Sequence, residues 1–174
     1  MPHLSGFGRP TSHLGAPSPE ETLVWMTKFT QKGQYVVGLR KLAEEIVREL
    51  HPHDYISEYA AVLNWVRTNI RYSRDPRTIE QLKEPQVTVE SETGDCDDLS
   101  ILIGTLIGQL GGQVRFVAGA FKRANNGQPI LSHVWAEAFD PVAGAWVILD
   151  PVPGRKVGQM RSRLIHRVVH KAID

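Results

Sequence analysis

The sequence predicts an α+β fold, with helices in its first two thirds packed on an antiparallel β-meander. Up to Leu110, apolar residues recur three and four positions apart in four separate stretches, the spacing that lines one side of a helix. Beyond Gly111-Gly112 the pattern changes to the strand-like runs "QVRFVAGAF", "ILSHVWAEAF" and "AWVILD". The segments between them, "ANNGQP" and "DPVAG", suit tight connections of antiparallel strands. With 174 residues, 41% hydrophobic and 22% charged, the chain can bury one core and has no length to spare for a second.

The elements follow in order. Residues 1–19 are dense in Pro, Gly, Ser and His without apolar periodicity, and read as a flexible arm. A first helix opens at Glu20 and is stopped by Gly33. A second covers "VVGLRKLAEEIVREL" with Leu39, Leu42, Ile46 and Leu50 on one stripe, and Pro52 closes it. A third starts at about Asp54 and carries Ile56, Tyr59, Ala60, Leu63, Val66 and Ile70. The segment "RYSRDPRTIEQLKEPQVTVESETG", with prolines at 76 and 85, breaks the pattern and reads as a connection. A fourth helix carries Leu99, Ile103, Leu106 and Leu110, and Cys96 falls on the same inward stripe at its mouth. Gly104 and Gly108 each cost that helix about 1 kcal/mol against Ala, so another element is expected to come close there. The last twenty residues hold six Lys/Arg and two His, and Met160, Leu164, Val168 and Ala172 suggest a basic docking helix. The expected organisation is therefore an arm at 1–19, one domain at 20–154 and a basic helix at 155–174.

A formal charge of +1 gives no basis for nucleic acid or a membrane surface as partner. No apolar run approaches the roughly 18 residues of a membrane span. A lone cysteine forms no internal disulfide, and the N-terminus carries no charged region followed by an apolar one, so a cytoplasmic location is expected. Helical spacing would let His166 and His170 approach one metal ion, but two ligands are too few to argue for it. "DCDD" lacks the spacing of a calcium loop, so no metal or other cofactor is expected.

Three residues invite chemistry. A thiol attacks as thiolate, which needs positive potential or an adjacent base, and the base needs a third group to fix its tautomer. Asp95 as N-cap and Asp98 at the third helical position form a capping box with Asp in place of Glu, which makes Cys96 the first helical residue. Its amide has no partner within the helix and is available to an oxyanion. The helix dipole favours the thiolate while Asp97 and Asp98 favour the thiol, so the sign of the net effect stays open. Of seven histidines, only His133 lies inside a predicted strand. If the following turn falls within Asp140–Gly144, directly opposed residues have numbers summing to 283–285, which puts Asp150 at or beside the position opposite His133. Sums of 283 or 285 place the two on one face, with Trp135, Trp146 and Ile148 as a dry wall; a sum of 284 separates them. Taken singly, a buried cysteine, a core histidine and a strand-ending Asp-Pro are common and inert. Their conjunction is what points to a site.

"GDCDDLSILIGTLIGQLGG", followed by "SHVWAEAF" and "WVILDP", resembles the core of the transglutaminase-like superfamily of cysteine enzymes. "WVRTNIRYSRDP" resembles the usual lead-in, and the likeness runs from about Tyr59 to Val152. The resemblance implies a papain-like fold with Cys96 as nucleophile, His133 as general base and acid, and Asp150 orienting the imidazole. It also implies amide cleavage or transfer through a thioester, although some members have lost activity. Relatives carry a Trp or similar oxyanion donor ahead of the cysteine, whereas this chain reads "IEQLKEPQV", where Gln81 or Gln86 is the substitute on offer. A missing donor would cost about two to three orders of magnitude in rate.

The function expected from this reading is a cysteine-dependent amide hydrolase of the protease or peptidase type, with acyl transfer to an amine the lesser alternative. Its substrate would be a protein or peptide, cell-wall peptide included. Seven acidic residues against Lys83 alone between Glu80 and Asp98 favour a cationic or amine-bearing substrate. The rival is a non-catalytic assembly module of the same fold, such as a phage-particle component, docking through its N-terminal arm and basic C-terminal helix.

Overall fold

The computed structural model describes residues 11–13, 17–74, 81–152, 156–159 and 163–174. Strand β1 (Thr11–His13) is followed by helices α1 (Pro19–Gly33), α2 (Val37–Val47) and α3 (Tyr55–Asn69). Then come β2 (Arg71–Tyr72), β3 (Gln81–Lys83), α4 (Pro85–Ser91), β4 (Thr93–Gly94) and α5 (Cys96–Gln109). The chain ends in β5 (Val114–Arg123), β6 (Pro129–Asp140), β7 (Ala145–Leu149) and β8 (His166–Ile173). Four strands form one antiparallel sheet in the order β7-β6-β5-β8, so the expected α+β meander is present and gains a strand.

Local chemistry sets the helix starts. Ser18 caps α1 in a full capping box with Glu21, and Pro19 occupies the first turn, where its missing N–H costs nothing. Asp54 caps α3 through the Ser57 N–H. On α3, Tyr59, Leu63, Val66 and Ile70 are buried as expected, but Ile56 is 45% exposed: it lies in the first turn, ahead of the part that meets the core.

Helix α5 is the centre of the molecule. Ile101, Leu102, Ile103, Leu106 and Ile107 are all fully buried, so the helix is apolar around its whole circumference rather than along one stripe. It touches α1 to α4 on one side and β5 and β6 on the other. Its glycines permit this: a Cβ at Gly104 would sit 3.0 Å from the Phe116 ring of β5, and one at Gly108 would sit 2.8 Å from the Gln34 amide.

Three expectations need correction. The C-terminal basic helix is strand β8, paired with β5 from Ala120↔His166 to Val114↔Ile173. A spacing of four residues fits one helical turn and equally two strand repeats, so Leu164, Val168 and Ala172 also lie on one face of an extended chain. Met160 lies outside the described residues. As strand residues four apart, His166 and His170 are roughly 13 Å from each other, too far to share a metal ion. The stretch read as a connection holds β2, β3, α4 and β4, segments of two to seven residues that are too short to show a period. Finally, part of the N-terminal arm is a strand, since Thr11–His13 pairs with Gln81–Lys83.

Candidate active site

The start of α5 is built by carboxylates. Asp95 accepts the N–H of Asp97 at 3.1 Å and of Asp98 at 3.5 Å, and Asp98 returns a bond to the Asp95 N–H at 3.4 Å. The fully buried Asp98 also accepts the Lys83 main-chain N–H at 2.8 Å and its ammonium at 3.0 Å. Two of the three aspartates around the cysteine thus hold the helix start in place, and Cys96 is its first residue.

Among the described residues, three groups meet the Cys96 sulfur. The thiol donates to Asp97 Oδ1 at 3.5 Å. The Val134 N–H of β6 points at the sulfur, beyond the last β6–β7 pair at Ala136↔Leu149. The Tyr72 hydroxyl stands within hydrogen-bonding reach, delivered by the parallel pairing of β2 with β4, which sets Tyr72 opposite Gly94. Burial pushes the thiol pKa well above its ordinary value, and the Asp97 and Asp95 carboxylates push it further; the Val134 N–H opposes them. The sign left open by the sequence therefore falls on the neutral thiol. Burial, with Cys96 and Asp95 nearby, also raises the Tyr72 phenol, so it stays a hydrogen-bond donor.

His133 and Asp150 meet as the hairpin count allows. The β6–β7 register sums to 285, so Asp150 is the diagonal neighbour of His133 on one face. His133 Nε2 lies 2.9 Å from Asp150 Oδ1, with both side chains buried. A carboxylate can only accept, so Nε2 carries the hydrogen and Nδ1 is the nitrogen able to exchange a proton. Asp150 Oδ1 also accepts the Val152 N–H at 2.9 Å. Arg67 of α3 donates from Nη2 to the carbonyls of Asp150 at 2.5 Å and of Val152 at 3.0 Å.

Cys96 and His133 line one cavity of about 300 Å³, with Asp97, Leu131, Ser132 and Val134 among its walls and Pro17 and Pro19 at the α1 side. Trp135 is fully buried beside His133, ring centroids 5.9 Å apart, and is held by its Nε1–H bond to Glu137 at 3.1 Å. Phe121 stands against both rings. Trp146 shares the face but pairs with Phe139, six residues along β6 and so roughly 20 Å from His133. It packs on Phe139 and under the Arg115 guanidinium instead. Gln81 lies in β3 and Gln86 in α4, where its amide donates to Glu84, and neither borders the cavity. The Tyr72 hydroxyl, which is likewise outside the cavity's lining, is the side-chain hydroxyl that bonds with Cys96. Tyr72 lies in the lead-in "WVRTNIRYSRDP", but that likeness assigns it no place at the sulfur, and a two-residue strand has no period to read.

Among the described residues, one trio of possible metal donors comes together: Asp95, Cys96 and Asp97. Asp95 Oδ1 is spent on two N–H groups and Asp97 Oδ1 on the thiol, an arrangement that serves the helix start.

A helix-borne thiol and a strand-borne imidazole with a carboxylate partner, set in the order Cys, His, Asp on an α+β fold, define the class. The chain belongs to the transglutaminase-like superfamily, whose family model matches residues 40–151. Two solved structures share its fold. One is a candidate cysteine protease from Cytophaga hutchinsonii, with TM-score 0.53 and 19% identity over 87% of this chain and 55% of that one. The other is a candidate protease from Parabacteroides distasonis, with TM-score 0.58 and 12% identity over 79% of this chain and 27% of that one. The chain thus spans about half of the first and about a quarter of the second. A search of curated protein sequences returned no match.

Proposed function

We propose that this chain is a cysteine-dependent amide hydrolase of the protease or peptidase type, with Cys96, His133 and Asp150 as its catalytic triad. The observation that carries the reading is the His133–Asp150 bond of 2.9 Å behind an imidazole that shares its cavity with the molecule's one thiol. Because the resting thiol is neutral, attack is coupled to proton transfer rather than made by a standing thiolate. Cys96 Sγ adds to the amide carbonyl as its proton passes to His133 Nδ1. The developing oxyanion takes the Cys96 N–H and the Tyr72 hydroxyl, a pair that supports this step without a Trp ahead of the cysteine. Collapse expels the amine, which takes the proton back from His133, and water hydrolyses the thioester with His133 as base. Asp150 keeps the hydrogen on Nε2 and stabilises the imidazolium. The carboxylates lining the cavity favour a peptide with a cationic or amine group near the scissile bond, cell-wall peptide included.

The test compares wild type with Cys96→Ala on unfolded proteins and crosslinked peptides, counting new amino termini by mass spectrometry. Cleavage should fall on the order of 10³-fold or more in the variant. Equal cleavage by both proteins would reject the triad.

One observation favours a second reading, a non-catalytic assembly module such as a phage-particle component: the thiol is held neutral by burial and by Asp97 and Asp95. For such a module Cys96→Ala would leave assembly intact, whereas loss of the N-terminal arm would abolish it; the C-terminus is not a usable probe, because β8 is part of the sheet.

A further inference from the structure

We infer that Arg67 is a positioning residue of the site: by tying two main-chain carbonyls of the Asp150–Val152 turn to helix α3, it fixes the Asp150 carboxylate and, through it, the tautomer of His133. The meaning of that tautomer for catalysis rests on the function proposed above; the geometry does not.

Asp150 stands where the sheet stops supporting the chain. Strand β7 ends at Leu149, the last β6–β7 pair is Ala136↔Leu149, and Pro151 has no N–H to give. The carboxylate that must meet His133 therefore sits one residue past the last paired position of β7. Inside the turn, Asp150 Oδ1 accepts the Val152 N–H at 2.9 Å, a bond that sets the carboxylate against its own backbone. That bond fixes the carboxylate in space only if the backbone is itself fixed. Arg67 supplies this from outside, with one Nη2 reaching the carbonyls of Asp150 at 2.5 Å and Val152 at 3.0 Å, on either side of the proline.

Helix α3 is a suitable anchor because it is pegged to the same hairpin a second time. Tyr59 donates to the Phe139 carbonyl of β6 at 2.7 Å. Tyr59 and Arg67 are eight residues apart, roughly 12 Å along a helix, and Val66 and Ile70 are buried beside Arg67. Phe139 pairs with Trp146, which is four strand residues, roughly 13 Å, from Asp150. The two pegs match in spacing, so the helix runs alongside the hairpin and holds both its turn and its open end. A guanidinium suits the second peg, because its planar nitrogen presents two hydrogens in a fixed fork to two acceptors; an ammonium keeps the charge and loses the plane.

The test reads the tautomer directly. The full chain carries ¹⁵N-histidine, His133 is assigned by loss of its signal in His133→Gln, and the imidazole nitrogens are recorded above the histidine titration. Wild type should hold the hydrogen on Nε2 by about tenfold or more over Nδ1, and Arg67→Gln should bring the two forms to within about threefold, with Arg67→Lys between them. Cys96→Ala should keep the wild-type tautomer, so a failure of the proposed catalysis reads separately from a failure of this inference. A residue that merely stabilises the fold would lower the melting temperature and leave the tautomer unmoved. Folded Arg67→Gln and Arg67→Lys proteins with the wild-type tautomer would overturn the inference. So would loss of folding in both, because Arg67 would then serve the fold as a whole.

Discussion

At Cys96 the helix dipole is outvoted. An N-terminal position on a helix lowers a thiol pKa when the surroundings are wet or cationic. Here burial and the Asp97 and Asp95 carboxylates push it up instead. Wild type should therefore react slowly with iodoacetamide through pH 8 and speed up only above the ordinary thiol range. Replacing Asp97 with Asn removes the second largest cause and should raise the alkylation rate at pH 7.5 by about tenfold, read by intact mass. An unchanged rate would mean that burial and Asp95 hold the proton without Asp97. The sign for stability follows from linkage. The folded pKa lies above the unfolded one, so this thiol favours the fold fully below its unfolded pKa of about 8.5, and that contribution is lost as pH rises through the folded value. At this scale the sequence was informative where the chemistry is local, as in the Asp95–Asp98 capping box. It was silent on Tyr72 and on the Val134 N–H, which reach the sulfur from residues distant in the chain.

Elements decide how firmly those groups are held. Asp98 is fully buried, accepts from Lys83 and from the Asp95 N–H, and so links β3 to the start of α5. Asp98→Ala leaves the Lys83 ammonium half-buried without its carboxylate and undoes the capping box, at a cost of about 3 kcal/mol, to be read as a lower urea midpoint. Gly119 of β5 sits across from His133, and a Cβ there would lie 2.5 Å from the Trp135 ring. Because Trp135 is tied to Glu137 and cannot swing away, Gly119→Ala should cost about 2 kcal/mol and disturb the His133 ring that packs on it. Element type was legible wherever a segment was long enough to show its period, which covers α1, α2, α3, α5 and β5 to β7. The register of the β6–β7 hairpin was legible up to three choices because its turn is short. The step from helix to strand at the C-terminus was not, because residues four apart satisfy both periods.

The site belongs to the molecule as a whole. Its thiol comes from the central helix, its imidazole and carboxylate from a hairpin, its tyrosine from a two-residue strand, and one cavity wall from Pro17 and Pro19 at the start of α1. The Cys, His and Asp could be read from sequence because hairpin arithmetic and helix capping place them without knowledge of the rest. Arg67 and Tyr72 fall in the lead-in "WVRTNIRYSRDP", but their contacts could not be read, since nothing local records which helix lies against the hairpin. Strand β8 closes one edge of the sheet and packs against α1, with Ala172 in the core and Gln31 bonded to its carbonyl at 3.2 Å. Deleting residues 163–174 should therefore abolish the cooperative thermal transition, followed by circular dichroism, whereas a detachable basic helix would leave it in place. If Cys96 forms an acyl-enzyme that His133 resolves, intact mass and product release after mixing the chain with p-nitrophenyl acetate will show it. Wild type should carry and then clear a transient single acetyl on Cys96, Cys96→Ala should release nitrophenol no faster than buffer, and His133→Ala should turn over about 10²- to 10⁴-fold more slowly. Release by Cys96→Ala equal to wild type, with no acetyl on the thiol, would contradict an acyl-enzyme at Cys96.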